Sequence, residues 1–190
     1  MKLQNSFEIP LAPPEAWDVL LDIERIAPCL PGAEITEVID EETYKGRVSL
    51  RLGPVALSFD GKVVFEDINQ DERRARVKAQ GMDTKGRGGA NADVEFLVEA
   101  TETGSRVRIE TDLNLSGSIA QYGRGVGIIE AVSAQLIGEF ADALRLQLSE
   151  TAAPEPAGGD TAAAAKPISG LTLMFRVLWN AVKRMFTGRG

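Results

Sequence analysis

A chain of 190 residues, 44% hydrophobic and 26% charged, has the makeup of an ordinary globular domain with room for one core and an appendage. It holds no histidine and one cysteine, which excludes histidine-based triads, histidine-ligated metals, CxxC redox chemistry and an internal disulfide. With 21 basic against 28 acidic residues the net charge is −7, which argues against nucleic acid as a partner.

The opening segment KLQNSFEI alternates polar and apolar residues and then meets Pro10, the pattern of an edge strand. MKLQNSFEIPLAPPE contains no apolar run of signal-peptide length, so an intracellular location is expected. Pro13 and Pro14 lead into EAWDVLLDIERIAPCL, where Trp17, Leu20, Leu21 and Ile23 recur at helical spacing. The spacing predicts a short helix that breaks near Ile23, then a second small one ending before Pro31 and Gly32. From Ala33 to Ser116 six period-2 segments, starting with AEITEVID and ending with SRVRIETDLNLSG, follow one another across short polar turns. Ile119 to Leu148 then reads as one long amphipathic helix. The expected fold is α+β, a curved antiparallel sheet gripping a long C-terminal helix with a hydrophobic cavity between them.

The domain is predicted to end near Glu150. Residues 151–167, TAAPEPAGGDTAAAAKP, offer no large side chain to bury and read as a flexible linker spanning about 20 to 25 Å. Charge divides at the same place, with a net −10 over residues 1–150 and five basic but no acidic residues over 166–190. As a helix, residues 168–186 place Leu171, Phe175, Leu178, Trp179 and Phe186 on one side, with Arg176, Lys183 and Arg184 on the other. This reads as a basic amphipathic anchor lying in an anionic membrane surface, and those eight residues are the expected membrane contacts. A helix docked on its own domain or on a partner protein is the other reading.

Four blocks in order, CLPGAE at 29–34, LGPVALSFDGKVVF at 52–65, GRGGANADVEF at 86–96 and DLNLSGSIAQYGRG at 112–125, resemble the G-subunit family of carbon monoxide dehydrogenase. That family belongs to the START-like superfamily of polyketide cyclases and lipid-transport proteins, and the resemblance spans residues 1 to about 150. It implies a helix-grip fold and a role beside a molybdenum-containing carbon monoxide dehydrogenase or related hydroxylase. It also implies a link to the cytoplasmic face of a bacterial membrane and to respiratory quinone, without the family member being the redox catalyst.

The residues themselves supply no catalytic constellation: without histidine a base must be a carboxylate, lysine or tyrosine with a perturbed pKa. Tyr122 is read as a core or rim tyrosine, or as a hydroxyl aimed at a ligand carbonyl; Tyr44 carries the same alternatives. Cys29 reads as a small buried filler, with a reactive thiol as the lesser alternative because nothing basic adjoins it in sequence. GRGGANA lacks the strand, GxxxxGK and helix order of a phosphate loop and is expected to be a flexible turn. The glycines of YGRGVG mark either a frayed helix start or a place where backbone approaches a ligand.

The expected ligand wall is Phe59, Met82, Phe96, Leu115, Tyr122, Val126 and Ile129. No metal site or catalytic residue is expected. The combined expectation is a carrier that holds a quinone, menaquinone or ubiquinone, and passes it between membrane and dehydrogenase. The alternative is a membrane-recruitment scaffold that carries nothing.

Overall fold

The structure is a computed structural model that describes residues 1–52, 55–124 and 126–152. The tail at 168–190 and all of the expected linker beyond Ala152 lie outside the described residues.

The chain opens with β1 (Lys2–Ile9), whose odd positions Leu3, Phe7 and Ile9 are buried and whose even positions face solvent. Helix α1 (Pro13–Leu21) starts with prolines in its first turn, where a missing N–H leaves nothing unpaired. It stops at Asp22, one residue before the predicted break. The Asp22 carboxylate accepts from the backbone N–H of Arg25 at 3.1 Å and so caps α2 (Ile23–Ile26). A 3-10 turn at Ala27–Cys29 follows. Gly32, at φ +74°, turns the chain into the sheet so closely against Ser49 that a Cβ would strike that residue's carbonyl oxygen.

Strands β2 (Ala33–Val38), β3 (Thr43–Leu52), β4 (Val55–Asn69), β5 (Arg74–Asp83), β6 (Gly89–Thr101) and β7 (Gly104–Leu115) form the predicted meander. All seven strands make one antiparallel sheet in the order β1-β7-β6-β5-β4-β3-β2. Bulges between Ile35 and Glu37 and between Phe65 and Asp67 add local bend. The curved sheet with its C-terminal helix is the expected α+β architecture.

The stretch predicted as continuous from Ile119 divides into a 3-10 segment at Gly117–Arg124 and α3 at Val126–Ala152. Three glycines at 123, 125 and 127 remove helix propensity where the two meet. Helix α3 packs along β1 and also touches both 3-10 segments. None of the described helices is long and apolar enough to cross a membrane.

Two clusters share the core. The larger joins Phe7 of β1, Trp17 of α1, Phe65 of β4 and Phe140 and Leu144 of α3. Phe7 and Phe140 meet edge to face with centroids 5.6 Å apart, and the indole N–H of Trp17 donates to Gln70 Oε1 at 3.0 Å. The smaller cluster joins Leu3, Leu57, Ile119 and Ile129.

Candidate functional site: an apolar cavity between sheet and helix

A cavity of about 540 Å³ borders both clusters, with Leu30, Tyr44, Ile137 and Phe140 lining it from the larger and Leu3, Leu57, Ile119 and Ile129 from the smaller. Its origin is visible in the register. Gly46 of β3 pairs with Gly61 of β4, Gly61 with Gly81 of β5, and Gly81 with Ala90 of β6. The adjacent inward row runs Tyr44, Val63, Ala79, Ala92 and Leu113 over five strands. The row of Gly46, Gly61, Gly81 and Ala90 is therefore a lane almost without side chains across the concave face, and all four of its residues line the cavity.

The glycines also let the strands approach closely. A Cβ on Gly61 would run into the carbonyl oxygen of Gln80, and one on Gly46 would lie 2.8 Å from the carbonyl oxygen of Glu34. Glycine in a strand interior is the residue that permits such a bend. Concavity and emptiness thus come from the same positions.

The opposite wall is α3. Ile129, Val132, Ser133, Leu136, Ile137 and Phe140 recur at steps of three, one, three, one and three, which keeps them on one helical face, and all six line the cavity. Ile23 and Ile26 of α2, and Leu30 just after the first 3-10 turn, add apolar surface. The charged residues at its border are exposed, and two are neutralised locally: Lys45 by Glu37 at 2.8 Å and Arg47 by Asp60 at 2.6 Å.

Of the seven wall residues expected from sequence, Phe59, Leu115 and Ile129 line this cavity. Met82 does not, because the inward parity of β5 belongs to Ala75, Ala79 and Gly81; Met82 faces the other way and is 63% exposed. Phe96 has the inward parity but sits at the far end of β6, opposite Ala75 and 5.7 Å from Trp17, in packed core. The side chains of Tyr122 and Val126 lie outside the described residues. Val48, Leu50, Val63, Leu113 and Leu136, none of them in the expected wall, also face the cavity. The small residues were missed altogether; their signal was Gly and Ala at inward parity on neighbouring strands, visible only once the register is set.

The GRGG turn is tied down, not loose. The carboxylate of Asp83, in buried surroundings, accepts from Arg87 Nε at 2.8 Å and Nη2 at 2.7 Å, and from the backbone N–H groups of Lys85 and Arg87. Arg87 also donates to the Ala56 carbonyl at 2.8 Å, and its own carbonyl accepts from the N–H and hydroxyl of Ser118. One ion pair thus joins β4, the β5–β6 turn and the 3-10 segment that leads to α3. The Arg87 guanidinium is the main reason the Asp83 carboxyl is held far below the usual carboxylate range, against the opposing effect of burial.

Tyr44 presents its ring to the cavity while its hydroxyl donates to the Glu41 carbonyl at 2.8 Å. Burial first, then the charges of Glu24 and Asp22, push its phenol above the ordinary value, so it is not poised as a base. Cys29 is buried, its Sγ 3.4 Å from Gln147 Oε1, and desolvation raises its pKa despite the nearby Arg25. It occupies the place of a small core residue rather than that of an activated thiol.

The fold is shared with solved structures of low sequence identity. A conserved protein from Geobacillus kaustophilus superimposes with a TM-score of 0.66 at 20% identity, covering 77% of this chain and 93% of that one. A protein from Thermus thermophilus gives 0.58 at 12% identity, covering 80% and 100%. The ZhuI aromatase/cyclase from Streptomyces sp. R1128 gives 0.56 at 14% identity, covering 84% and 99%. These neighbours establish a START-like helix-grip fold. No curated protein matches the chain. A family profile describing the G subunit of carbon monoxide dehydrogenase (CoxG) does match, over residues 6–149, and with three quarters of its length inside that match the chain belongs to the CoxG family.

Proposed function

We propose that this protein is a non-catalytic carrier of a respiratory quinone, menaquinone or ubiquinone, that moves its cargo between membrane and dehydrogenase. The partner is a molybdenum-containing carbon monoxide dehydrogenase or related hydroxylase, and the basic segment 168–190, through its expected amphipathic helix, tethers the carrier to the anionic cytoplasmic face of the cell membrane. The observation that carries this reading is the cavity: about 540 Å³, within the roughly 300–1,000 Å³ of small-molecule sites, and lined almost entirely by apolar groups. Moving a hydrocarbon chain into water costs about 0.8 kcal/mol per CH₂, or about 4 kcal/mol for a five-carbon isoprenoid unit. An apolar cavity removes that barrier for the portion it covers. Membership of the CoxG family supports the dehydrogenase as the destination. The cavity-lining carboxylate Glu34 is exposed and Asp83 is neutralised by Arg87, so neither is placed as a buried base, which favours carriage over cyclisation.

The test is transfer of menaquinone from donor to acceptor vesicles, and to purified dehydrogenase turning over its substrate, with and without the full-length protein. Faster transfer and faster dehydrogenase-driven quinone reduction are expected. Recruitment of the dehydrogenase to vesicles with no change in quinone transfer contradicts carriage and favours a scaffold.

A further inference from the structure

We infer that Ser133 is a specificity-determining residue of the cavity: its hydroxyl donates a hydrogen bond to an acceptor oxygen, such as a ketone, on an otherwise apolar ligand. This deepens the carrier reading and rests on it.

The polar point is out of place in both elements that make it. Along α3, Ser133 interrupts the cavity-facing stripe between Ile129 one turn before and Ile137 one turn after. Along β1, Asn5 interrupts the inward row of Leu3, Phe7 and Ile9, and asparagine is disfavoured in strands. The two meet: Asn5 Nδ2 donates to Ser133 Oγ at 2.8 Å. This bond fixes which way the hydroxyl is used. An oxygen that accepts from Asn5 still has a proton to give, and a helical serine usually gives it to a carbonyl of its own preceding turn. Ser149 does so, donating to the Leu146 carbonyl at 2.7 Å. For Ser133 no acceptor is found among the described residues, and its side chain lines the cavity. A donor without an acceptor in apolar surroundings is stabilised by a ligand that brings one, and a ligand lacking that oxygen leaves the donor unmet.

The experiment compares two probes of the same carbon skeleton, one with the two carbonyl oxygens and one without: 2-methyl-1,4-naphthoquinone with a short isoprenoid chain, and 2-methylnaphthalene with the same chain. Dissociation constants are measured by calorimetry on full-length wild type, S133A, S133T and S133C, each checked for folding by circular dichroism. Wild type is expected to prefer the quinone, S133A to lose about 3- to 10-fold in affinity for the quinone alone, and S133T to keep the preference. S133C, near in size and a weak donor, should fall between and guards against a misfolded S133A. If wild type binds both probes and the ratio is the same in S133A and S133C, Ser133 does not select and the inference fails while apolar carriage stands. If wild type binds neither probe, the carrier reading fails first and takes the inference with it.

Discussion

Gly61 of β4 stands opposite Gly81 of β5, with Gly46 of β3 on its other side, so in this row three neighbouring strands place no side chain beneath the cavity. Filling the adjacent row tests the lane directly. The double substitution A79L/A92L puts bulk into existing space and is expected to leave stability unchanged or raise it by about 1 kcal/mol. Ligand occupancy should fall at least ten-fold. Thermal melts and extracted ligand per mole of protein check both halves.

Gly61→Ala is expected to behave in the opposite sense. Its Cβ meets the Gln80 backbone, which cannot rotate away, so destabilisation of about 1 to 3 kcal/mol is expected. Gly81→Ala faces the Phe59 Cβ at 3.1 Å and should be milder. Urea unfolding of the two variants ranks them.

The Asp83–Arg87 pair predicts a pH signature. A carboxyl whose folded pKa is depressed contributes stability above its unfolded value, about 3.9, and loses that contribution as pH falls toward the folded value. Asp83→Asn should lower Tm by several degrees at pH 7, and its deficit relative to wild type should shrink below about pH 4. A deficit independent of pH would assign the effect to packing instead.

Cys29 should resist modification. Burial and a raised pKa both suppress thiolate, so Ellman's reagent at pH 8 is expected to label the native protein far more slowly than the denatured chain. Equal rates would contradict its placement in the core.

The tail makes a separate prediction from sequence. In a W17F variant Trp179 is the remaining indole, and its emission should shift to the blue with anionic vesicles but not with zwitterionic ones. With about 1 kcal/mol expected per basic residue near an anionic surface, raising salt should reverse the shift.

Elements that carry their own signal were legible in the sequence: prolines 13 and 14 starting α1, and the period-2 alternation of each strand. The cavity was legible only in part, because an apolar residue marks the inward face without saying whether anything lies above it. Met82 shows the limit, since its chemistry suggested the inside while its parity with Arg76 and Lys78 put it outside. Gly46, Gly61, Gly81 and Ala90 are unremarkable in four separate segments and form one lane only through pairings that no local pattern contains. Ser133 escaped for the same reason, its partner Asn5 lying 128 residues away.

The measurement closest to the central claim is mass spectrometry of the organic extract of full-length protein, purified without detergent from a host whose membranes contain quinone. Quinone near one equivalent per chain is expected, and its loss in A79L/A92L. Folded wild-type protein that yields no quinone or other lipid would contradict carriage.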